Sequence, residues 1–252
     1  MHARRAFVAA FTLSVLLLAS WFGLSPGTTA AAWAETPRPA CGGRISSTDD
    51  VVALITESAD CPGSVNGYWR NQLGTAWTEP HYVPYRNGEI PKIACADGVT
   101  DPQVFADNAL YCTLDDTIAY STDFMSRLAD DGGPSYPAFV VMHELGHRGD
   151  RIAGVLGAVS RAEENQADCL AGNQARFAVD AGRLTQDEAV NGTTLFYSLG
   201  DTRGGWLDQG GTAPDAHGTP AQRAQSFSLG YQQSIATCRT IGQSRDGNVP
   251  LI

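Results

Sequence analysis

The chain has 252 residues, with 17 basic and 27 acidic side chains and a formal charge of −10 at pH 7. That length can bury one good core and reads as one domain, and the acidic balance argues against a nucleic-acid partner. Six cysteines, Cys41, Cys61, Cys95, Cys112, Cys169 and Cys238, lie too far apart for a C-x-x-C metal cluster. Any metal must therefore be held by histidine and carboxylate.

Residues 1–34 have the layout of a secretory signal peptide. Arg4 and Arg5 precede an apolar run from Ala6 to Leu24, and Ala32-Trp33-Ala34 supplies an A-x-A site with cleavage expected after Ala34. The run is close to the roughly 18 to 20 residues that span a bilayer. An uncleaved anchor is thus the alternative, and a membrane is expected as a partner only in that case. Arg4-Arg5 also resembles a twin-arginine signal. Either way the folded part is secreted or extracytoplasmic, and in such a compartment an even number of cysteines reads as disulfides.

Residues 35–46 are rich in Pro and Gly and read as an irregular segment, and 47–252 as the folded domain. Thr48 is a plausible N-cap for a helix with apolar residues at Val51, Val52, Leu54 and Ile55. A second short helix, VNGYWRNQLG, ends near Gly74. Between Pro80 and Ser121 turn residues are dense and apolar runs short, which predicts a small sheet from HYVPYR, ALYCTL and DTIAYST. After Gly132-Gly133 the pattern turns helical over about 135–149, 160–181, 185–199 and 219–237. Ser160 with Glu163 and Thr185 with Glu188 have capping-box spacing, and Thr219-Pro220 offers an N-cap followed by a proline at the first helical position. A small sheet followed by a mostly helical half is an α+β fold.

The helix at 135–149 carries HELGH. His143 and His147, four apart, lie one turn above each other on one face, about 6 Å along the axis. Two imidazoles so placed can occupy adjacent positions of a tetrahedral Zn²⁺. Glu144 projects from the next position, where it can reach a metal-activated water without being a ligand. The five-letter pattern also arises by chance. Here Phe139, Val140, Val141 and Met142 set the histidines beside a core, where burying two imidazoles without partners would cost a few kcal/mol.

A third ligand is expected further along. H-x-x-G-x-x-H fails, because residue 150 is Asp. A ligand glutamate on a following helix fits better: in SRAEENQADCLAGNQARFAV, Glu164 and Asp168 are four apart on one face. Glu164 would complete a His₂Glu set, and Asp168 would accept the free ring N–H of a liganding histidine. Glu163 is the competing ligand, although its capping-box position gives it other work. A solvated acidic helix face is the plain alternative for both acids.

HELGH, then ENQADCLAG, then HGTPAQR resembles the neutral zinc metallopeptidases of bacteria, which carry H-E-x-G-H, E-x-Q-A-D-C-x-A-G and H-G-[ST]-x-x-Q-R. The likeness covers roughly residues 50–240 and is specific in the motifs from His143 onward. It implies a zincin-like fold, one zinc ion on His143, His147 and Glu164, and Glu144 as general base. It further implies a secreted endopeptidase acting on a peptide or protein substrate. Arg148 departs from the uncharged residue usual there, and the loop from Asp201 to Asp215 is long and different. His217 and Arg223 are candidate donors to the oxyanion of the tetrahedral intermediate, with a loop histidine and a salt-bridge arginine as the plain alternatives. Strand DTIAYST is the expected sheet edge for an extended peptide. Two other readings stay open: a zinc-binding extracellular interaction protein that does not cleave, and an interaction module with merely buried histidines.

Among fifteen possible disulfide pairings, Cys41–Cys61 and Cys95–Cys112 close locally. Cys169–Cys238 then remains and would tie the third-ligand helix to the end of the chain's last helix.

Overall fold

The computed structural model describes residues 41–201 and 217–249. The proposed signal segment 1–34, residues 35–40 and most of the Asp201–Asp215 loop lie outside the described residues. Among those described, eight α-helices and a three-stranded sheet make an α+β fold whose C-terminal half is mostly helical. No helix among them is long and apolar enough to cross a membrane.

Residues 41–46 are irregular, as their composition suggests, but anchored. Ile45 is buried and donates its N–H to the Arg183 carbonyl, while Arg183 forms a buried ion pair with Glu57. Helix α1 (Thr48–Thr56) is capped by Ser47, whose hydroxyl accepts the Asp50 N–H, and not by Thr48. Helix α2 (Val65–Leu73) ends at Gly74, which takes φ +60°.

The strands fall within the three expected segments: β1 (His81–Tyr85), β2 (Ala109–Cys112) and β3 (Thr117–Ser121). Their order is β1-β3-β2, with β1 parallel and β2 antiparallel to β3. DTIAYST is therefore the central strand, and the expectation that it forms the edge is corrected. Strand order is set by which strand closes on β1, and a local pattern carries no trace of that. One face of the sheet sends Tyr82, Ile118, Tyr120 and Tyr111 into the main core; the other packs Val83, Tyr85, Ala119, Leu110 and Cys112 on Ile93 and Phe105 as a smaller cluster. That division is the period of two expected of strands.

Helix α3 (Thr122–Gly132) follows β3 with no intervening turn, its N-cap being Ser121, the last strand residue. The sequence reading did not anticipate it. Helix α4 (Ser135–Ala153) runs a turn past its expected end and stops at Gly154 in the left-handed region. Helix α5 (Ser160–Asp180) begins after Val159, so Ser160 lies inside the first turn and makes no cap; the expected Ser160–Glu163 box is absent. The boxes at Thr185–Glu188 on α6 (Gln186–Ser198) and Thr219–Gln222 on α7 (Pro220–Gln232) are both formed. The single helix expected over 219–237 is two. Extended backbone at Gln233 separates α7 from α8 (Ile235–Gly242).

Close approach of α4, α5 and α7 makes the site possible. A Cβ on Gly146 would meet Ala167 backbone at 3.1 and 3.2 Å, so glycine there lets α5 lie tight against the HELGH turn. Gly172 and Gly230 do the same for α5 against α7. Disulfides join Cys41 to Cys61, Cys95 to Cys112 and Cys169 to Cys238. The last fastens α5 to α8 inside the core, both sulfur residues being fully buried.

Candidate metal centre

His143 and His147 come from successive turns of α4, and Glu164 from the second turn of α5 across the Gly146 contact. His143 Nε2 and His147 Nε2 are 3.1 Å apart; Glu164 Oε2 lies 3.3 Å from the first and Oε1 3.4 Å from the second. Two donors bound about 2.0–2.1 Å from a tetrahedral Zn²⁺ sit about 3.4 Å from each other. The three side chains thus present two imidazole nitrogens and a carboxylate at the mutual spacing such an ion requires, and they are the group among the described residues suited to hold one.

What orients the imidazoles is on their far side. His143 Nδ1 faces Asp168 Oδ1 at 2.7 Å, so Nε2 is the nitrogen turned to the metal position. Asp168 is fully buried and is itself gripped by Arg223, whose Nε and Nη2 donate to its two oxygens at 2.8 and 2.7 Å. Arg223 Nη1 donates to the Leu199 carbonyl, and the guanidinium lies over Phe196. The chain from α7 through α5 to α4 is therefore one charge-assisted string, Arg223–Asp168–His143. Gln174 adds a bond from its Nε2 to the Met142 carbonyl, steadying the turn before His143.

Electrostatics follow the same string. Burial works against the charged form of His143, but Asp168 and Glu164 outweigh it and push the imidazolium pKa up to about 10. Burial would raise Glu164 and Asp168, yet His147 and His143 hold the first well below the usual carboxylate range, and Arg223 with His143 lowers the second. Paired with Arg223, Asp168 stays ionised, as the support of His143 must.

Glu163, the competing ligand, is not in the group. Freed from any capping role, it lies with Oε1 3.9 Å from His147 Nδ1. Glu144 is 7% exposed, lines the same cleft and makes no hydrogen bond to a described residue. His217 is exposed and lines the cleft, its backbone N–H donating to Asp201 Oδ2 at 2.8 Å and its Nδ1 lying 3.7 Å from the same oxygen. Arg148 points away from the metal position. It makes a bidentate pair with Asp116, donates to Thr78 and stacks on Trp77 at 4.3 Å.

These groups open into a cleft of about 590 Å³. One wall is α4 with the start of α5; facing it are Asn108 through Tyr111, the edge strand β2. Sequence reading missed this wall because it took β3 for the edge. It also missed Arg151, exposed on the helical wall. The signal for Arg151 was readable, since 143, 147 and 151 repeat at four residues and share a helix face.

A family model described as "Putative neutral zinc metallopeptidase" matches residues 12–241. An uncharacterized protein of Mycobacterium tuberculosis is 28% identical over 195 residues, which cover 67% of this chain and 64% of that protein. The Escherichia coli protein YpfJ, also uncharacterized, is 26% identical over 195 residues, 69% of this chain and 65% of its own length. The chain thus spans less than two thirds of the curated relatives it matches. No solved structure matches it at a significant level.

Proposed function

Because the chain belongs to the neutral zinc metallopeptidase family, we propose that it is an extracytoplasmic endopeptidase that hydrolyses peptide bonds with one zinc ion held by His143, His147 and Glu164. The observation that carries this reading is the convergence of two imidazole nitrogens and one carboxylate at zinc spacing, with Glu144 beside them in an open cleft. Three disulfides support an oxidising compartment.

When bound, zinc supplies a Lewis acid for the scissile carbonyl and lowers the pKa of water to about 7. Glu144 takes the proton of the attacking water and returns it to the leaving amine. Asp168 keeps His143 in the tautomer that offers Nε2, and Arg223 keeps Asp168 ionised and fixed. An extended substrate adds to β2, whose outer edge faces the cleft, so recognition falls to that strand and not to β3. His217 lines the cleft, where its ring N–H can meet the oxyanion.

The test is metal analysis of the purified domain, followed by cleavage of a peptide library with and without chelator. One zinc per chain, cleavage lost with chelator and restored by zinc, and a 10²- to 10⁴-fold rate loss in Glu144→Gln with zinc retained are the expected results. Zinc without turnover in the wild type would make it a non-cleaving binding protein. No zinc at all would leave the histidines as buried core residues.

A further inference from the structure

Across the cleft from β2, the exposed cation on the helical wall is Arg151. It continues the face of α4 that carries His143 and His147, one turn beyond the second ligand. No ion-pair partner for it occurs among the described residues. It lines the same cleft as Tyr111, near the C-terminal end of β2. Leu156, half exposed, and Ser160 line the cleft with it.

The other charges nearby are already committed or turned elsewhere. Asp116 is held by Arg148, Asp150 is buried within α4, and Glu163 is directed to His147. At the far end of β2, Asp107 is paired with Arg127 and accepts a hydrogen bond from Asn87.

Direction along the cleft follows from the contacts. Arg148 bonds Asp116, just past the end of β2, whereas Glu144 and Val140, one and two turns earlier on α4, line the cleft with Asp107, Asn108 and Ala109 at its start. α4 and β2 therefore run the same way. A peptide pairing antiparallel to β2 has its N-terminal part beside Tyr111 and Arg151 and its scissile bond beside Glu144. Seven helical residues separate Glu144 from Arg151, about 10 Å. An extended peptide covers that distance in about three residues.

We propose that Arg151 forms a subsite for an acidic side chain about three residues before the scissile bond. The proposal rests on the peptidase reading above. A carboxylate there can accept two parallel N–H bonds from the guanidinium, while a lysine is repelled. Arg151 is thus a specificity-determining residue, distinct from the groups that hold metal or move protons.

The test uses a library of peptides with blocked termini, digested by zinc-loaded enzyme and read by mass spectrometry. Wild type is expected to cleave sequences with Asp or Glu two to four residues before the bond roughly tenfold faster than those with Lys or Arg. Arg151→Glu should reverse that preference and Arg151→Ala should level it, with zinc content equal in all three. A wild-type preference that survives Arg151→Glu overturns the proposal. In parallel, zinc-loaded Glu144→Gln, with and without Arg151→Glu, is titrated with two fluorescent alanine-rich decapeptides that differ by one Glu or Lys. If wild type cleaves nothing but the binding preference appears and reverses, the subsite stands and the peptidase reading falls. Binding blind to the charge sinks the subsite whatever the turnover.

Discussion

The two walls of the cleft are built on opposite plans. On the helical side His143, Asp168 and Arg223 are buried and bonded in series, so that removing Asp168 or Arg223 leaves the other's charge buried without its partner. On the strand wall β2 is paired on one side only among the described residues, and Asn108 to Tyr111 line the cleft. The first arrangement is complete within the protein and suits a ligand that must be held in one geometry. The second is incomplete by construction and suits a chain of variable sequence, which contributes its own hydrogen bonds.

Disulfides give the strongest way to break this division. Cys169–Cys238 closes a separation of 69 residues and lies next to Asp168, whereas Cys95–Cys112 closes 17 and belongs to the strand side. Replacing both Cys169 and Cys238 by Ala should cost about 4 kcal/mol of stability and weaken zinc binding as well. Replacing Cys95 and Cys112 should cost about 3 kcal/mol and leave zinc affinity unchanged. Denaturant unfolding and competition with a chromogenic chelator measure the two quantities. Equal zinc loss in both variants would mean that the walls are not separate.

Next in size is Asp168→Asn, expected to lower zinc affinity about 10- to 100-fold by loosening His143. Unchanged affinity in the chelator assay would reduce the Arg223–Asp168–His143 string to a packing feature.

Asp150 offers a sharper, pH-dependent contrast on the helical wall. Burial, with Glu163 adding to it and His147 and Arg239 opposing, pushes its pKa from the ordinary 3.8 up to about 7. The folded protein then keeps this proton where the unfolded chain has lost it, so stability falls as pH rises from about 4 to about 7. Asp150→Asn should flatten that profile, raising the unfolding midpoint at pH 8 and hardly at pH 4. A midpoint lower at pH 8 than in wild type would show the carboxylate to be favourably held.

The smallest expected effect concerns helix starts. Ser47→Ala should cost about 1 kcal/mol as a lost cap, and Ser160→Ala close to nothing. Comparable losses at both sites in denaturant unfolding would restore the capping role at Ser160 that the structure denies.

What the sequence disclosed divides along similar lines. α4, α5 and α6 were readable because each carries a long helical pattern, joined at α6 by a formed capping box, and helix spacing put His143 with His147 and Glu164 with Asp168 each on one face. α3 was not, because Ser121 ends a strand and caps a helix at once, leaving no turn residue to mark the change. The break at Gln233 is likewise unmarked by Gly or Pro. Glu163 was misread because a capping box needs its serine at the N-cap, and the helix begins one residue earlier, after Val159. The edge strand was misassigned because pairing order depends on contacts far apart in the chain.

Arg148 sits one residue past His147 and grips Asp116, at the end of the turn joining β2 to β3, while its guanidinium rests on Trp77, which stacks in turn on Trp69. The strand proposed to take a peptide and the turn proposed to seat the metal are thus joined by the Arg148 side chain. Thermodynamic reciprocity then binds the two events: to whatever degree zinc tightens the hold on a peptide along β2, a seated peptide must raise the affinity for zinc by the same factor. Metal retention becomes a property of the occupied groove as much as of the three ligands.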